Sequence, residues 1–278
     1  MMDLNRRTAK QLSLWQERVH DLNSIRDNVK KTRLVKLSNY VVGHNTVILK
    51  MESEQTIRSF KIRGAMFAMI RNQESLRDRG VVANSGGNHA QAVALAGWEL
   101  GIPATIIVPS TVPANKIQAT RRFGATDGSF ILDNSPPTFA EAKALAMNIA
   151  GIDQNGNLPS DIDEYPQYIS PYDDPKILRG TATLVPEIYD QLYQAGYARP
   201  HSLHVPVGGG GLIGGIADVN AEQGHMFDLI GHGLEGANSG ARSLHSRAPV
   251  YIENPNVLVE GLAVNAVGEQ VHQRMRDG

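Results

Sequence analysis

Short β-branched runs alternate with longer stretches of helical period along most of this chain, and that alternation restricts it to folds built on parallel strands. "TVILKM" (46–51), "GVVAN" (80–84), "ATIIVP" (104–109), "SFIL" (129–132), "SLHVPV" (202–207) and "FDLIGH" (227–232) read as buried strands. Between them "FKIRGAMFAMIRNQES", "NHAQAVALAGWELG", "ANKIQATRRFG", "TFAEAKALAMNIAG" and "ATLVPEIYDQLYQAG" carry apolar residues at helical spacing. Three of these run out at Gly101, Gly124 and Gly196, where helices commonly stop. Strand alternating with helix requires crossover connections, so an α/β protein with mostly parallel sheets is expected. The stretch 151–168, "GIDQNGNLPSDIDEYPQY", is rich in Gly, Pro, Asn and Asp without periodicity. It reads as a long loop or boundary that splits the chain into two lobes.

At 278 residues the chain can bury a substantial core, and 27 Lys+Arg against 28 Asp+Glu leave a net charge of -1. That balance gives no basic excess for nucleic acid. With no cysteine there is no disulfide framework, thiolate metal site or cysteine nucleophile, and a reducing, cytoplasmic setting is expected. The opening "MMDLNRRTAKQLSLWQERVHDL" lacks the continuous apolar core of a signal peptide and reads as an exposed helix. The most apolar region, "HAQAVALAGWELGIPATIIVP", is broken by Glu99, Gly101 and Pro103, so no membrane segment is expected.

Three segments carry chemistry. In "VPVGGGGLIGGIA" (205–217) a strand runs through Gly208, Gly209, Gly210 and Gly211 into an apolar helix. Glycines allow close approach and free N–H groups at a helix start point at negative charge, so a phosphate is the expected guest. A tight turn with no ligand is the plain structural reading, but four successive glycines cost considerable chain entropy. Gly209, Gly211 and Gly214 also match a dinucleotide fingerprint, with Glu235 placed to hold a ribose, which keeps a nicotinamide enzyme open. In "NSGGNHAQAVALAG" (84–97) a strand ends in Ser85, Gly86, Gly87, Asn88 and His89, a turn suited to a carboxylate. Taken alone, Asn88 reads as a helix cap and His89 as a satisfied capping histidine. In "SFKIRGA" (59–65) Lys61 stands between Phe60 and Ile62 at a helix start, a cation between bulky apolar neighbours.

"LKMESEQTIRSFKIRGA", "NSGGNHAQAVALAG", "SPYDDPKILRGTATLVPEI", "VPVGGGGLIGGIA" and "VEGLAV", in this order and spacing, resemble the pyridoxal-phosphate enzymes of the tryptophan-synthase-β fold type. Within that type the chain is most similar to the threonine dehydratase and serine racemase branch, from Thr32 onward. The resemblance implies a two-lobed protein, each lobe an open, mostly parallel twisted sheet flanked by helices. Residues 1–78 and 158–278 would form a large cofactor-binding domain and 79–157 a small domain. Lys61 would be the catalytic residue, carrying pyridoxal 5'-phosphate as a Schiff base beside Phe60. Asn88 would hold the cofactor's phenolic oxygen, and Gly208, Gly209, Gly210, Gly211 and Leu212 its phosphate. Ser85, Gly86, Asn88 and His89 would hold the carboxylate of a small amino-acid substrate. The implied reaction is β-elimination from threonine or serine to a 2-oxo acid and ammonia, in a homodimer without nucleic-acid or membrane partners.

The chain departs from that pattern in four places. Thr181-Ala182 replaces Gln-Gly, leaving the local pocket shape open. Gly86 stands where racemases place a serine as opposite-face acid, so racemisation is disfavoured. Glu235 matches a metal ligand of the branch, but Ala241 stands where a second carboxylate belongs, and no metal is expected. The sequence ends at "VHQRMRDG", soon after "VEGLAV", before the strand that brings a hydroxyl to the cofactor's ring nitrogen. Slow turnover is the expectation from that ending. A catalytically impaired cofactor binder with a regulatory or partner role, or a β-replacement enzyme of the same fold, is the alternative.

Overall fold

The computed structural model describes residues 8–42, 45–253, 255 and 257–277. Its centre is a four-stranded, all-parallel sheet in the order β5-β4-β3-β6, with β3 Val81–Asn84, β4 Ala104–Ile107, β5 Phe130–Asp133 and β6 Gln167–Tyr168. A second parallel sheet pairs β7 (Ser202–Pro206) with β8 (Asp228–His232) across the crossover helix α9 (Gly211–Glu222). All six expected strands form within a residue or two of their sequence positions. "TVILKM" is the exception in direction: β2 (Asn45–Lys50) runs antiparallel to β1 (Leu34–Val42), a strand the alternating pattern did not announce.

The helices follow the same pattern. α2 (Lys61–Ile70) and α3 (Gln73–Arg79) divide the first helical stretch at Arg71 and Asn72. α4 (Asn88–Leu100), α5 (Ala114–Arg121), α6 (Phe139–Ile149) and α8 (Leu184–Gln194) occupy the others, and the short α10 (Ser239–Leu244) follows β8. Gly101 ends α4 in the left-handed conformation at φ 65°, as a C-terminal glycine should. Gly124 acts differently, since it has no positive φ and instead leaves room for Phe130, whose ring would lie 2.3 Å from an added Cβ.

Two expectations need correction. The N-terminal helix α1 (Ala9–Ser24) is not merely exposed: Arg18, Asp21 and Leu22 are buried. Asp21 is fully buried because Arg71 (2.7 Å) and Arg179 (2.6 Å) both donate to its carboxylate, tying α1 to the rest of the fold. The stretch 151–168 is not all loop either. It holds a 3-10 turn (Ile162–Glu164) and β6, which pairs with β3 over two residues through Gln167 N–H to Gly80 O (3.1 Å) and Ile169 N–H to Val82 O (2.8 Å).

The core has two large apolar clusters that meet on α7 (Pro175–Ala182), where Ile177 faces one and Leu178 the other. α7 lies between α2 and α9 at close range. A Cβ on Gly180 would come within 2.8 Å of Gly64 Cα, and one on Gly215 within 2.4 Å of Leu178 O. Those small residues set the starts of α2 and α9, with Lys61 and the glycine run, on either side of one helix. Among the described residues no helix is long and apolar enough to cross a membrane.

Candidate active site

The site lies at the carboxyl ends of β3 and β7, where open α/β sheets present ligand-binding loops. Lys61 is the first residue of α2 and is half-buried. Just before it Arg58 sits at φ 58°, a left-handed conformation that costs a non-glycine residue roughly 1–2 kcal/mol and turns the chain sharply into the helix. The Lys61 Nζ donates to Pro171 O at 2.5 Å and lies 5.4 Å from the Phe60 ring centroid and 5.9 Å from that of Tyr172. Among the described residues no carboxylate is paired with it. Burial therefore acts unopposed and lowers its pKa to about 8.

Burial also carries a testable cost. Between about pH 8 and the ordinary lysine value of 10.5, the unfolded chain holds a proton at this amine that the folded chain has lost. Stability contributed by this group accordingly rises with pH across that window. Lys61→Met is expected to raise the melting temperature at pH 7, and the gain should shrink as the pH rises from about 8 and be gone by 10.5. A gain constant across pH would show that the ammonium charge is not its source.

His89, the second residue of α4, is buried, and its Nε2 donates to Ile169 O at 2.9 Å. Burial, then the nearby charge of Lys61, pushes its pKa down to about 3 against the help of that carbonyl. It is neutral at working pH, which fits a hydrogen-bonding rather than a charge-pairing role. Ser85 Oγ accepts from Gly87 N–H at 3.2 Å and shapes the turn into α4. Gly86 has no room for a side chain, since a Cβ there would lie 2.5 Å from Val112 Cγ2. Asn88, at the first position of α4, is exposed.

The glycine run follows β7, and Gly210 caps α9 at φ 86°. The first N–H groups of such a helix have no partner within it. Tyr172 packs on the run: its ring would lie 2.4 Å from a Cβ on Gly209, and its own Cβ 2.9 Å from one on Gly211. Gly208 is equally confined by Gly261 O at 2.9 Å, which puts "VEGLAV" against the loop. Leu212 leans on the second core cluster. Thr181 clarifies the first departure, because its hydroxyl donates to Gly211 O (2.9 Å) and fastens α7 to the loop. Tyr172 and Pro171 escaped the reading of the sequence; the quoted segment "SPYDDP" held them without marking their role.

Lys61, His89 and the glycine run thus converge on one segment, residues 169–172, while Ser85 and Asn88 flank His89. A weakly basic lysine and a glycine-rich helix start brought to one segment at the carboxyl ends of parallel strands suit an enzyme class that tethers a phosphorylated carbonyl group. Residues 25–278 match the pyridoxal-phosphate dependent enzymes, and the chain belongs to that family. It is 34% identical over 231 residues to the biosynthetic L-threonine dehydratase of Lactococcus lactis, covering 83% of this chain and 52% of the relative. The chain therefore spans about half the length of that relative. The solved structure of threonine deaminase isoform 2 from Solanum lycopersicum superposes with a TM-score of 0.77 at 31% identity, covering all of this chain and 71% of that one. Maize serine racemase superposes with a TM-score of 0.76 at 26% identity, over 94% of this chain and 73% of that one.

The family is pyridoxal-phosphate dependent, which makes that group, not a dinucleotide, the cofactor of this chain. The residues present fit that group: the lysine amine is desolvated with no carboxylate partner among the described residues, and the loop keeps its backbone bare because any Cβ would collide. Glu235, in a 3-10 turn (Glu235–Ala237), is exposed, and no group of three His, Cys, Asp or Glu gathers as a metal site among the described residues.

Proposed function

We propose that this chain catalyses pyridoxal-phosphate-dependent β-elimination of a hydroxy amino acid, threonine or serine, releasing a 2-oxo acid and ammonia. The observation that carries this reading is the Lys61 amine, depressed to about 8 and held by a neutral carbonyl next to the glycine run. The threonine dehydratase relative and the threonine deaminase superposition support the reaction class.

The bound cofactor supplies an electron sink for the pair left when the substrate's Cα–H bond breaks. Lys61 would hold it, with Phe60 and Tyr172 shielding the amine from water and Asn88 contacting its ring substituent. The backbone of Gly208, Gly209, Gly210 and Gly211, continued by Leu212, would cradle its phosphate. Ser85, Gly86, Asn88 and the neutral His89 would bind the substrate carboxylate through hydroxyl, amide and backbone donors. With a pKa near 8, Lys61 Nζ is partly unprotonated at neutral pH and can take the Cα proton, then deliver it to the departing hydroxyl. The crowding of Gly86 by Val112 leaves no side chain there to protonate the opposite face, which favours elimination over racemisation. The association of two such chains and a cytoplasmic setting belong to the same proposal.

The assay is direct: incubate the chain with pyridoxal phosphate and L-threonine or L-serine, and follow 2-oxo acid. Racemised substrate without 2-oxo acid would replace this reading with the racemase one. Gly210→Asp is expected to lower cofactor retention at least tenfold, since it forces a left-handed residue against Val271 Cγ1 (2.3 Å from the Cβ) and sets a carboxylate near the phosphate seat. Pyridoxal phosphate remaining after gel filtration measures this; unchanged retention would refute the cradle.

A further inference from the structure

The segment that links the lysine to the glycine run carries two consecutive aspartates, and they do different work. Asp174 caps its own helix, accepting from Lys176 N–H (2.7 Å) and Ile177 N–H (3.2 Å) at the start of α7. Asp173 reaches about a hundred residues along the chain to α11 (Glu269–Asp277). There its carboxylate accepts from Glu269 N–H (3.1 Å), Gln270 N–H (3.0 Å) and Val271 N–H (3.4 Å), three donors that have no partner inside a helix. Gly268 makes the approach possible, because a Cβ there would sit 2.2 Å from Asp173 Oδ1.

The start of α11 in turn lies on the glycine run. Gly268 N–H donates to Gly209 O at 3.3 Å, and Val271 presses on Gly210. On the near side of Asp173, Pro171 O holds the Lys61 amine, and Tyr172 packs on Gly209 and Gly211 while its hydroxyl donates to Ala266 O at 3.3 Å. These contacts close a ring from the glycine run through Tyr172 and Asp173 to α11 and back to the run, with the Lys61 amine held on it by Pro171 O.

We infer that Asp173 is a positioning residue for the site, which by capping α11 holds Pro171 and Tyr172 against Lys61 and the glycine run. This rests on the reading of Lys61 and the glycine run as the cofactor seat, but it concerns the amine's surroundings and is measurable without cofactor. Without the cap the turn loosens, water reaches the amine, and its titration moves back towards that of an ordinary lysine.

The test is competitive acetylation of the full chain from pH 6 to 11, after hydroxylamine treatment to remove bound aldehyde, with mass analysis of the peptide containing Lys61. Besides Asp173 itself, the titratable groups around the amine among the described residues include His89 on α4, neutral throughout this range, and Tyr172, whose pKa is raised by burial and then by the charge of Asp173. Wild type should titrate near 8. Asp173→Ala should move the midpoint up by a unit or more, lowering Lys61 labelling at pH 8 by about fivefold. Asp173→Asn, which keeps one amide oxygen for Gln270 N–H and Val271 N–H and gives up only the acceptor for Glu269 N–H, should restore labelling to within about twofold of wild type. A folded Asp173→Ala chain with an unmoved midpoint would overturn the inference even if its melting temperature fell. So would an Asp173→Asn chain shifted as far as Asp173→Ala. Should Asp173→Ala fail to fold, Gly268→Ala, which displaces the carboxylate from the other side, must give the same upward shift. A wild-type chain that titrates near 8 yet captures no cofactor would defeat the proposed function and leave this inference standing.

Discussion

Lys61→Ala is expected to lower 2-oxo acid formation from threonine or serine by at least about 10²–10⁴-fold, the span that loss of a positioned acid–base group alone produces. The variant also lacks the proposed tether for the cofactor, so the visible band of the loaded protein should disappear with the activity. The fold should survive. Removing an amine whose charge burial opposes, held only by one carbonyl, relieves a cost instead of breaking an ion pair. Far-UV circular dichroism indistinguishable from wild type, together with absent turnover, is the anticipated pair of results. Turnover within tenfold of wild type would show that another group does the chemistry.

Arg63→Ala should have the opposite character, with its main effect on stability. Arg63 lies two positions after Lys61 and so points from the far side of α2. Its guanidinium is completely buried and paired twice, with Glu52 through Nε and Nη2 (2.8 Å each) and with Glu187 through Nη1 and Nη2 (3.1 and 2.9 Å). Burial works against its charge, but the hydrogen bonds and charges of Glu52, followed by those of Glu187, outweigh it and raise its pKa. Lys50 joins the same network, donating to Glu187, to Gln191 (2.7 Å) and to Thr32 O (2.7 Å). Deleting Arg63 leaves two carboxylates with one cation between them. Breaking a buried pair in this way costs roughly 3–5 kcal/mol, a fall in melting temperature on the order of 10 °C. Thermal unfolding checks it, and replacing Arg63, Glu52 and Glu187 together by apolar residues of similar size should recover much of the loss. A single-variant loss below about 1 kcal/mol would show that solvent enters and screens the network.

The sequence displayed some of this candidate site and hid the rest for physical reasons. Lys61, the turn at Ser85–His89 and the glycine run were legible because each combines a distinctive residue type with the end of a strand or the start of a helix. β3 and β4 were legible because buried parallel strands leave continuous apolar runs, whereas β5, β7 and β8, expected to be buried, are half-buried to exposed and were legible only by their short β-branched and aromatic runs. β6 was not, since two residues carry no period, and its pairing depends on carbonyls of Gly80 and Val82 far upstream. The burial of α1 was hidden because Asp21 is neutralised by Arg71 and Arg179, at separations of 50 and 158 residues. The same holds for Arg63 and Glu187, 124 residues apart. Tyr172 looked like one more aromatic in a polar stretch, and only its packing on Gly209 gives it a place in the site.

The central claim is that Lys61 carries the cofactor, and trapping tests it most directly. The chain is mixed with pyridoxal phosphate, reduced with borohydride and digested, and the modified peptide is identified by mass. The account predicts one phosphopyridoxyl group per chain, on Lys61. Modification confined to other lysines, with none on Lys61, would contradict it.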